Sequence, residues 1–166
     1  IGAVYPIARE LKKLGAKVAV SIEASSSYLL YFENELKSVC DELIVSTRDG
    51  TKGLKGGCAD VMKSRKDSFD MFVSIGCVFM MKQASKVAAE IQKKTLCALN
   101  PIMVDGTGMC GACRVSVGGE VKFACVDGPF FDLKGVDFDE LAKRRSAYTL
   151  LEVDAMPRHH NGKCHQ

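Results

Sequence analysis

No apolar run in these 166 residues reaches the roughly 18 that a membrane-spanning helix needs. No basic segment leads into an apolar stretch of the kind that marks a secretory leader. Charge of one sign is also scarce: 23 Lys and Arg face 20 Asp and Glu, for a formal net charge of +3. The lysines fall singly along segments of helical period, which is a solvated face rather than a phosphate-tracking stripe. Neither a membrane nor nucleic acid is therefore expected as a partner. There is no internal repeat and no low-complexity segment. The chain opens at Ile1, without Met and already inside a helical pattern, which reads as a piece of a longer polypeptide.

What is present is a globular composition, 47% hydrophobic and 26% charged, with an unusual complement of eight cysteines. A secreted disulfide framework is one explanation for the cysteines. Against it, Cys40, Cys58, Cys77 and Cys97 stand singly among apolar residues, where a thiol behaves as a small hydrophobe. The chain is also long enough to bury a core without staples. A reducing, cytoplasmic compartment is the expectation.

The first hundred residues alternate between two periods. Val4, Ile7, Ala8, Leu11 and Leu14 recur at helical spacing, and Gly15 follows as a stop. Strands are predicted at 17–22, 42–46, 71–75 and 95–99, and further helices at 28–39, 58–66 and 79–93. Such alternation argues for an α/β fold, a parallel sheet with helices on both faces. Ligands of such sheets bind beyond the carboxyl ends of the strands, here the segments 23–27, 47–53 and 76–80. Their glycines and small hydroxyl residues suit the close approach of a phosphate-bearing ligand, although ordinary tight turns explain them as well. In Met80-Met81, helix packing is favoured over a ligand set. At Cys77 a space-filling side chain is favoured over a reactive thiol.

After Pro101 the helical period stops and the cysteines cluster. Asp105-Gly-Thr-Gly-Met-Cys110-Gly-Ala-Cys113 is followed by Cys125. Residues 114–117 and 121–124, joined through Gly118-Gly119, carry a two-residue hairpin signature that places Cys113 and Cys125 at the base of neighbouring strands. Zinc prefers two close pairs of donors, and the second pair is missing. An x4, x2 run with a distant fourth donor resembles plant-type [2Fe–2S] spacing, with a shorter final gap. Iron–sulfur, zinc and redox-active thiols all remain open on these residues. Asp105 is either a turn residue or an oxygen ligand. Residues 136–145 form a last predicted helix, and the chain from about Glu152 reads as frayed. His159, His160, Cys164 and His165 could bind metal, but a disordered tail is the favoured reading.

The stretch from Leu99 to Pro129, with Asp105, Cys110, Cys113 and Cys125, resembles the C-terminal cluster segment of flavoprotein electron-transfer subunits. These are the small (alpha) subunit of NADH-dependent reduced ferredoxin:NADP oxidoreductase, also called sulfide dehydrogenase, and the dihydroorotate dehydrogenase electron-transfer subunit. The former matches at Asp105, where the dihydroorotate family carries cysteine. The resemblance implies a [2Fe–2S] cluster on Asp105, Cys110, Cys113 and Cys125. It extends more loosely upstream. Val4-Tyr-Pro-Ile-Ala8 is similar to the helix after the glycine-rich nucleotide loop of ferredoxin–NADP-reductase-like domains. Asp49-Gly-Thr-Lys-Gly53 resembles the family's Asp-Gly-Ser-x-Gly loop, and Gly76-Cys-Val-Phe-Met80 its Gly-Pro-x-x-Met motif.

The implied architecture is a ferredoxin–NADP-reductase-like nucleotide-binding domain at 1–100, a small [2Fe–2S] segment with a β-hairpin at 101–150, and a disordered tail at 151–166. Asp49, Gly50, Thr51, Gly76, Cys77 and Met80 are the implied nucleotide-binding residues, for NAD(P)H. FAD would sit on an upstream domain. The implied protein is an electron-transfer enzyme subunit with no catalytic side chain of its own, serving a larger flavin/iron–sulfur partner subunit, with ferredoxin a further candidate partner. Glu23-Ala24-Ser25 stands where family members often show Gly-Ala-Arg, which leaves the choice of NADH or NADPH open; Arg48 is a candidate replacement for the arginine. The rival readings are a zinc-stapled, non-catalytic interaction module and a degenerate α/β domain retaining only the cluster.

Overall fold

The computed structural model describes residues 1–156. Helix α1, Val4–Lys13, buries Ala8 and packs Val4 and Leu11 against its neighbours. It stops where Gly15 takes φ +82°. The Gly15 N–H then reaches the Lys12 carbonyl and the Ala16 N–H the Leu11 carbonyl, a Schellman closure. Strand β1, Ala19–Ala24, runs parallel to β2, Glu42–Thr47, with Ala19 opposite Glu42 and Ala24 opposite Thr47. Strand β3, Leu54–Lys55, adds a short third edge. Helix α3, Cys58–Ser64, leads through a turn to β4, Met71–Ile75. Helix α4, Val78–Glu90, then returns the chain to β5, Lys94–Ala98, parallel to β4. The α/β alternation read from the sequence is thus present.

One expectation needs correction. The predicted helix over 28–39 is broken. A 3-10 turn at Ser27–Leu29 is followed by Phe32 at φ +66°, and only Glu33–Lys37, α2, is α-helical. The cause is the burial pattern: Leu36 is fully buried, whereas Tyr28, Leu29 and Tyr31 face solvent, so one short face carries the packing. The Phe32 ring turns back edge-on to Tyr5, 5.4 Å between centroids. The parallel strands pair in two three-stranded halves. The order is β1-β2-β3 in one half and β4-β5-β8 in the other, where β8, Phe130–Asp132, is antiparallel to β5. Side chains from both halves, with α1 and α3, line a cavity of about 520 Å³ between them.

The cluster segment is stitched to the second half-sheet. Ala98 pairs with Phe130, and the Leu99 N–H donates to the Pro129 carbonyl at 2.9 Å, so the loop leaves and rejoins the sheet at one point. Strands β6, Arg114–Val117, and β7, Glu120–Phe123, form the expected hairpin, with Gly118 and Gly119 at φ +62° and +82° as its primed turn requires. Helix α5, Phe138–Arg145, is capped by the Asp137 carboxylate, which accepts the Asp139 and Glu140 N–H groups. Met81, Ala84, Cys97, Val115, Leu133 and Leu141 belong to one core, so hairpin, α4 and α5 share buried surface. A second core joins α1, β1, β2 and α2. Helix α6, Thr149–Ala155, carries regular structure into the stretch read as tail. His159, His160, Cys164 and His165 lie outside the described residues.

Candidate functional site

Two features carry the chemistry, a crevice at the carboxyl ends of the strands and the cysteine loop, and Asn100 links the start of the loop to the end of β4. The Asn100 amide donates to the Gly76 carbonyl, and its oxygen accepts from Arg145, at 3.4 and 3.3 Å. The end of β4 and the start of the loop are therefore held together.

The crevice has a volume of about 400 Å³. Its walls come from Glu23 at the end of β1, Arg48 after β2, the Lys55–Gly57 turn, and Phe79 and Met80 in the first turn of α4. The Arg48 guanidinium lies 5.2 Å from the Phe79 ring centroid, a cation–π contact, and pairs with Glu23 at 3.0 Å. Glu23 also accepts the Cys58 N–H at the start of α3. Of the residues expected at a nucleotide, Met80 lines this crevice. Asp49, Gly50 and Thr51 instead build the loop behind it. The Asp49 carboxylate accepts both the Thr51 N–H, at 2.9 Å, and its hydroxyl, at 2.7 Å, and Thr51 Oγ1 accepts the Ser27 N–H. The Thr51 N–H holds the Asp49 carboxyl down to about 2, well below the usual carboxylate range. Gly76 lies against the Met80 methyl group, which a Cβ at that position would displace. Cys77 caps α4, its sulfur accepting the Met80 N–H at 3.4 Å. It is exposed, so it does not fill space as the sequence suggested.

Sequence reasoning left Glu23, Lys55 and Phe79 out of the nucleotide set and named Arg48 only as a replacement. The available signal was positional. All but Lys55 fall in the strand-end segments already singled out, and a charged or aromatic side chain there has no core to enter.

In the cluster loop, Gly106, Gly108 and Gly111 all adopt positive φ, between +70° and +84°. A side chain on Gly108 would run close to Val126 Cγ2, at 2.6 Å, so the loop folds directly over the residue after Cys125. The hairpin brings Cys113 and Cys125 together: their sulfurs lie 3.2 Å apart as a thiol pair, and the Ala124 N–H donates to the Cys113 carbonyl. This is a close approach without the roughly 2.05 Å of a disulfide. The Cys113 thiol pushes the Cys125 thiol up, while the Gly108 N–H pulls it the other way. The Cys110 sulfur accepts the Ala112 N–H at 3.5 Å. The Asp105 carboxylate accepts the Thr107 N–H at 3.0 Å, which holds it below the usual range, and the Cys110 thiol beside it acts in the same direction.

The four donors thus form two associations, Asp105 with Cys110 and Cys113 with Cys125. Among the described residues no group of three or more His, Cys, Asp or Glu converges on a single metal position. The chemistry of the set still suits a cluster. It offers three thiols and an ionised carboxylate, with Gly108 and Ala112 N–H groups directed at two of the sulfurs, as cluster sulfurs require. Arg144 reinforces the loop from α5, donating to the Ala112 carbonyl at 3.3 Å.

Residues 100–137 match the model of the iron–sulfur cluster binding domain of dihydroorotate dehydrogenase B. The chain is 45% identical, over 150 residues, to a dihydroorotate dehydrogenase B (NAD(+)) electron transfer subunit homolog of Thermotoga maritima, covering 89% of this chain and 53% of that protein. It is 30% identical to a probable subunit of the same kind from Methanocaldococcus jannaschii, covering 74% and 47%. In three dimensions it superimposes on a chain of the NADH-dependent reduced ferredoxin–NADP oxidoreductase, a flavin-based electron-bifurcating system. The TM-score is 0.81 at 43% identity, with 91% of this chain and 55% of that one covered. The chain therefore spans about half the length of the relatives it matches.

Proposed function

We propose, from the likeness over the residues they share, that the chain belongs with the electron-transfer subunits of dihydroorotate dehydrogenase B and reduced ferredoxin:NADP oxidoreductase and passes electrons between a nicotinamide nucleotide and a larger partner subunit. The observation that carries this reading is the loop from Asp105 to Cys125, where a hairpin brings two thiols to 3.2 Å and the Gly108 and Ala112 N–H groups face sulfur. Asp105, Cys110, Cys113 and Cys125 would hold a [2Fe–2S] cluster. When bound, the cluster would supply one-electron transfer, and a flavin held outside these residues would supply the exchange of a hydride for single electrons.

The residues of this chain bind and position. Glu23, Arg48, Phe79 and Met80 form the nucleotide crevice, with Asp49, Gly50, Thr51, Gly76 and Cys77 shaping the loops that border it. An aspartate carboxyl is ionised at neutral pH, and the Thr107 hydrogen bond favours that form further, so Asp105 offers an oxygen donor without having to lose a proton. Its oxygen is harder than a thiolate and sets the potential differently. Asn100 holds crevice and loop in register. The compartment that suits free thiols and such a cluster is the reducing cytoplasm, and ferredoxin fits as a further electron partner.

The test is anaerobic purification followed by visible absorption and iron and sulfide analysis. Charge-transfer bands with about two iron and two sulfide per chain are expected; a colourless protein holding one zinc would refute the reading. Asp105→Cys should retain the cluster with an altered potential in an EPR-monitored redox titration. Unchanged cluster content and potential in Asp105→Ala would remove the carboxylate from the ligand set.

A further inference from the structure

We infer that Arg144, on α5, is a positioning residue for the iron–sulfur group proposed above: it sets a buried N–H and an unneutralised positive charge beside the Cys110–Cys113 turn and so favours the reduced form of the centre. The inference rests on the cluster reading. Phe138, Leu141 and Arg144 follow one another at intervals of three residues along α5, so they share a face. The first two are 4% and 1% exposed, in the core that also holds Cys113 and Val115. An apolar residue would continue that stripe. An arginine stands there instead, half-buried, while Lys143 and Arg145 on either side of it are exposed.

Arg144 Nη2 donates to the Ala112 carbonyl at 3.3 Å, in the peptide unit that leads directly into Cys113. Its Nε is buried and is, among the described residues, the one buried side-chain nitrogen or oxygen without a hydrogen-bond partner. Buried donors are nearly always satisfied, and an unmet one is destabilising. The charge is not neutralised either. Arg9, Arg48 and Arg65 each pair with a glutamate, whereas among the described residues no carboxylate forms an ion pair with Arg144. The acceptor that suits both the N–H and the charge is sulfur bearing negative charge, which Cys113 offers as a buried thiolate ligand and a cluster offers as sulfide.

An electron added at this loop makes it more negative. A fixed cation and an N–H donor beside sulfur stabilise that state more than the oxidised one, which raises the reduction potential. Partial burial keeps the charge effective. The other charges about the loop do not take its place. Asp105 and Asp127, whose carboxylate accepts the Phe123 N–H, act in the opposite direction. Lys122 is paired with Glu120 at 2.7 Å. Arg114 follows Cys113 in the chain but is exposed, so water and salt screen it.

The test is an EPR-monitored redox titration of the full, cluster-loaded polypeptide and its variants, with iron and sulfide measured on each. Arg144→Gln removes the charge. At the wild-type midpoint it should lower the ratio of reduced to oxidised centre about tenfold, or about 59 mV for a one-electron couple. Arg144→Lys restores a cation without the planar fork and should recover at least half of that shift. Arg114→Gln should stay within about twofold of the wild type, because it removes only a screened charge. A loaded Arg144→Gln with the wild-type potential would overturn the inference and leave Arg144 as a clamp on the Ala112 carbonyl. An equal shift in Arg114→Gln would overturn it too, since any nearby cation would then serve. Should Arg144→Gln fail to hold the centre, the wild type decides alone. With arginine isotopically labelled at its guanidinium nitrogens, pulsed EPR of the reduced protein should show a labelled nitrogen coupled to the centre, and no coupling would refute the assignment. A wild type lacking iron and sulfide would instead overturn the cluster reading on which the inference rests.

Discussion

Gly53 is the most exacting position in the loop between β2 and β3, and replacing it by alanine separates two costs that glycine substitutions usually mix. Its φ is +68°, and a Cβ would lie 2.7 Å from the Val45 carbonyl carbon and nearer still to its oxygen. Gly50, in the same loop, has φ +77°, but its Cβ would meet only the Lys55 side chain, at 3.3 Å, which can swing aside. Both substitutions carry the left-handed penalty of about 1–2 kcal/mol. Only Gly53→Ala must also push the loop off the β2 backbone. The contacts that hold it there are Thr47 Oγ1 to the Lys52 carbonyl at 2.8 Å and the Lys52 N–H to Thr47 Oγ1 at 3.0 Å. Thr47 is fully buried, so its hydroxyl finds no water in exchange. At about 1 kcal/mol per hydrogen bond, Gly53→Ala should cost about 3–4 kcal/mol and Gly50→Ala about 1–2. For a chain of this size that is a drop in Tm of roughly 6–16 °C against 2–8 °C. Thermal unfolding followed by circular dichroism gives both numbers. If Gly53→Ala fell within about 1 kcal/mol of Gly50→Ala, the loop would be free to shift and the close backbone approach would carry no weight.

Three further outcomes follow from the same coordinates. Leu141, 1% exposed in the core shared by hairpin, α4 and α5, should cost about 2.7–5 kcal/mol when changed to alanine; denaturant unfolding checks it, and a smaller loss would mean that α5 can collapse onto the space. Burial pushes the Cys58 and Cys97 thiols up to about 12, so iodoacetamide at pH 8 should label exposed Cys77 and, in cluster-free protein, exposed Cys110 while leaving those two intact until unfolding, as read by peptide mass spectrometry. Asp49 has a folded pKa of about 2, below its unfolded value; its contribution is therefore complete above about pH 4 and is lost as pH falls through 2. Stability curves of the wild type and Asp49→Asn should differ at neutral pH and converge at pH 2, and a gap that persists in acid would contradict the assignment.

How much of this was legible beforehand follows from the reach of each signal. Helices α1 and α4 and strands β1, β2, β4 and β5 announce themselves because local period and burial agree. Gly118-Gly119 specifies the hairpin because its turn demands two positive φ values in succession. Strands β3 and β8 were missed for the opposite reason. Leu54–Lys55 and Phe130–Asp132 are too short to show a period, and each is a strand only because a distant edge pairs with it. The helix read over 28–39 overran because apolar residues at 28–32 suggest continuity, while Phe32 enters the left-handed region and packs on Tyr5. At the candidate sites, residue types were legible and pairings were not. The sequence places Cys113 and Cys125 on neighbouring strands. It does not reveal that Glu23 and Arg48 neutralise one another, because that contact links the ends of two parallel strands.

The sequence also invites a boundary near residue 100 that the packing does not respect. Cys97 and Leu99 on one side share a core with Val115, Leu133 and Leu141 on the other, and β8 returns from beyond the cysteine loop to pair with β5. Under the proposed electron-carrier reading rigid attachment matters, since transfer depends on a fixed separation between centres. Here the loop is pinned at its entry by Asn100 and Leu99, in its middle by Arg144 on the Ala112 carbonyl, and at its exit by β8. Asn100 touches Gly76, at the end of the strand that leads into the crevice. A hinge between nucleotide domain and cluster segment would have to break these contacts and open the shared core at once. The cluster loop and the β4–α4 wall of the crevice therefore share one packed unit, whereas Glu23 and Arg48 approach that wall from the other half-sheet.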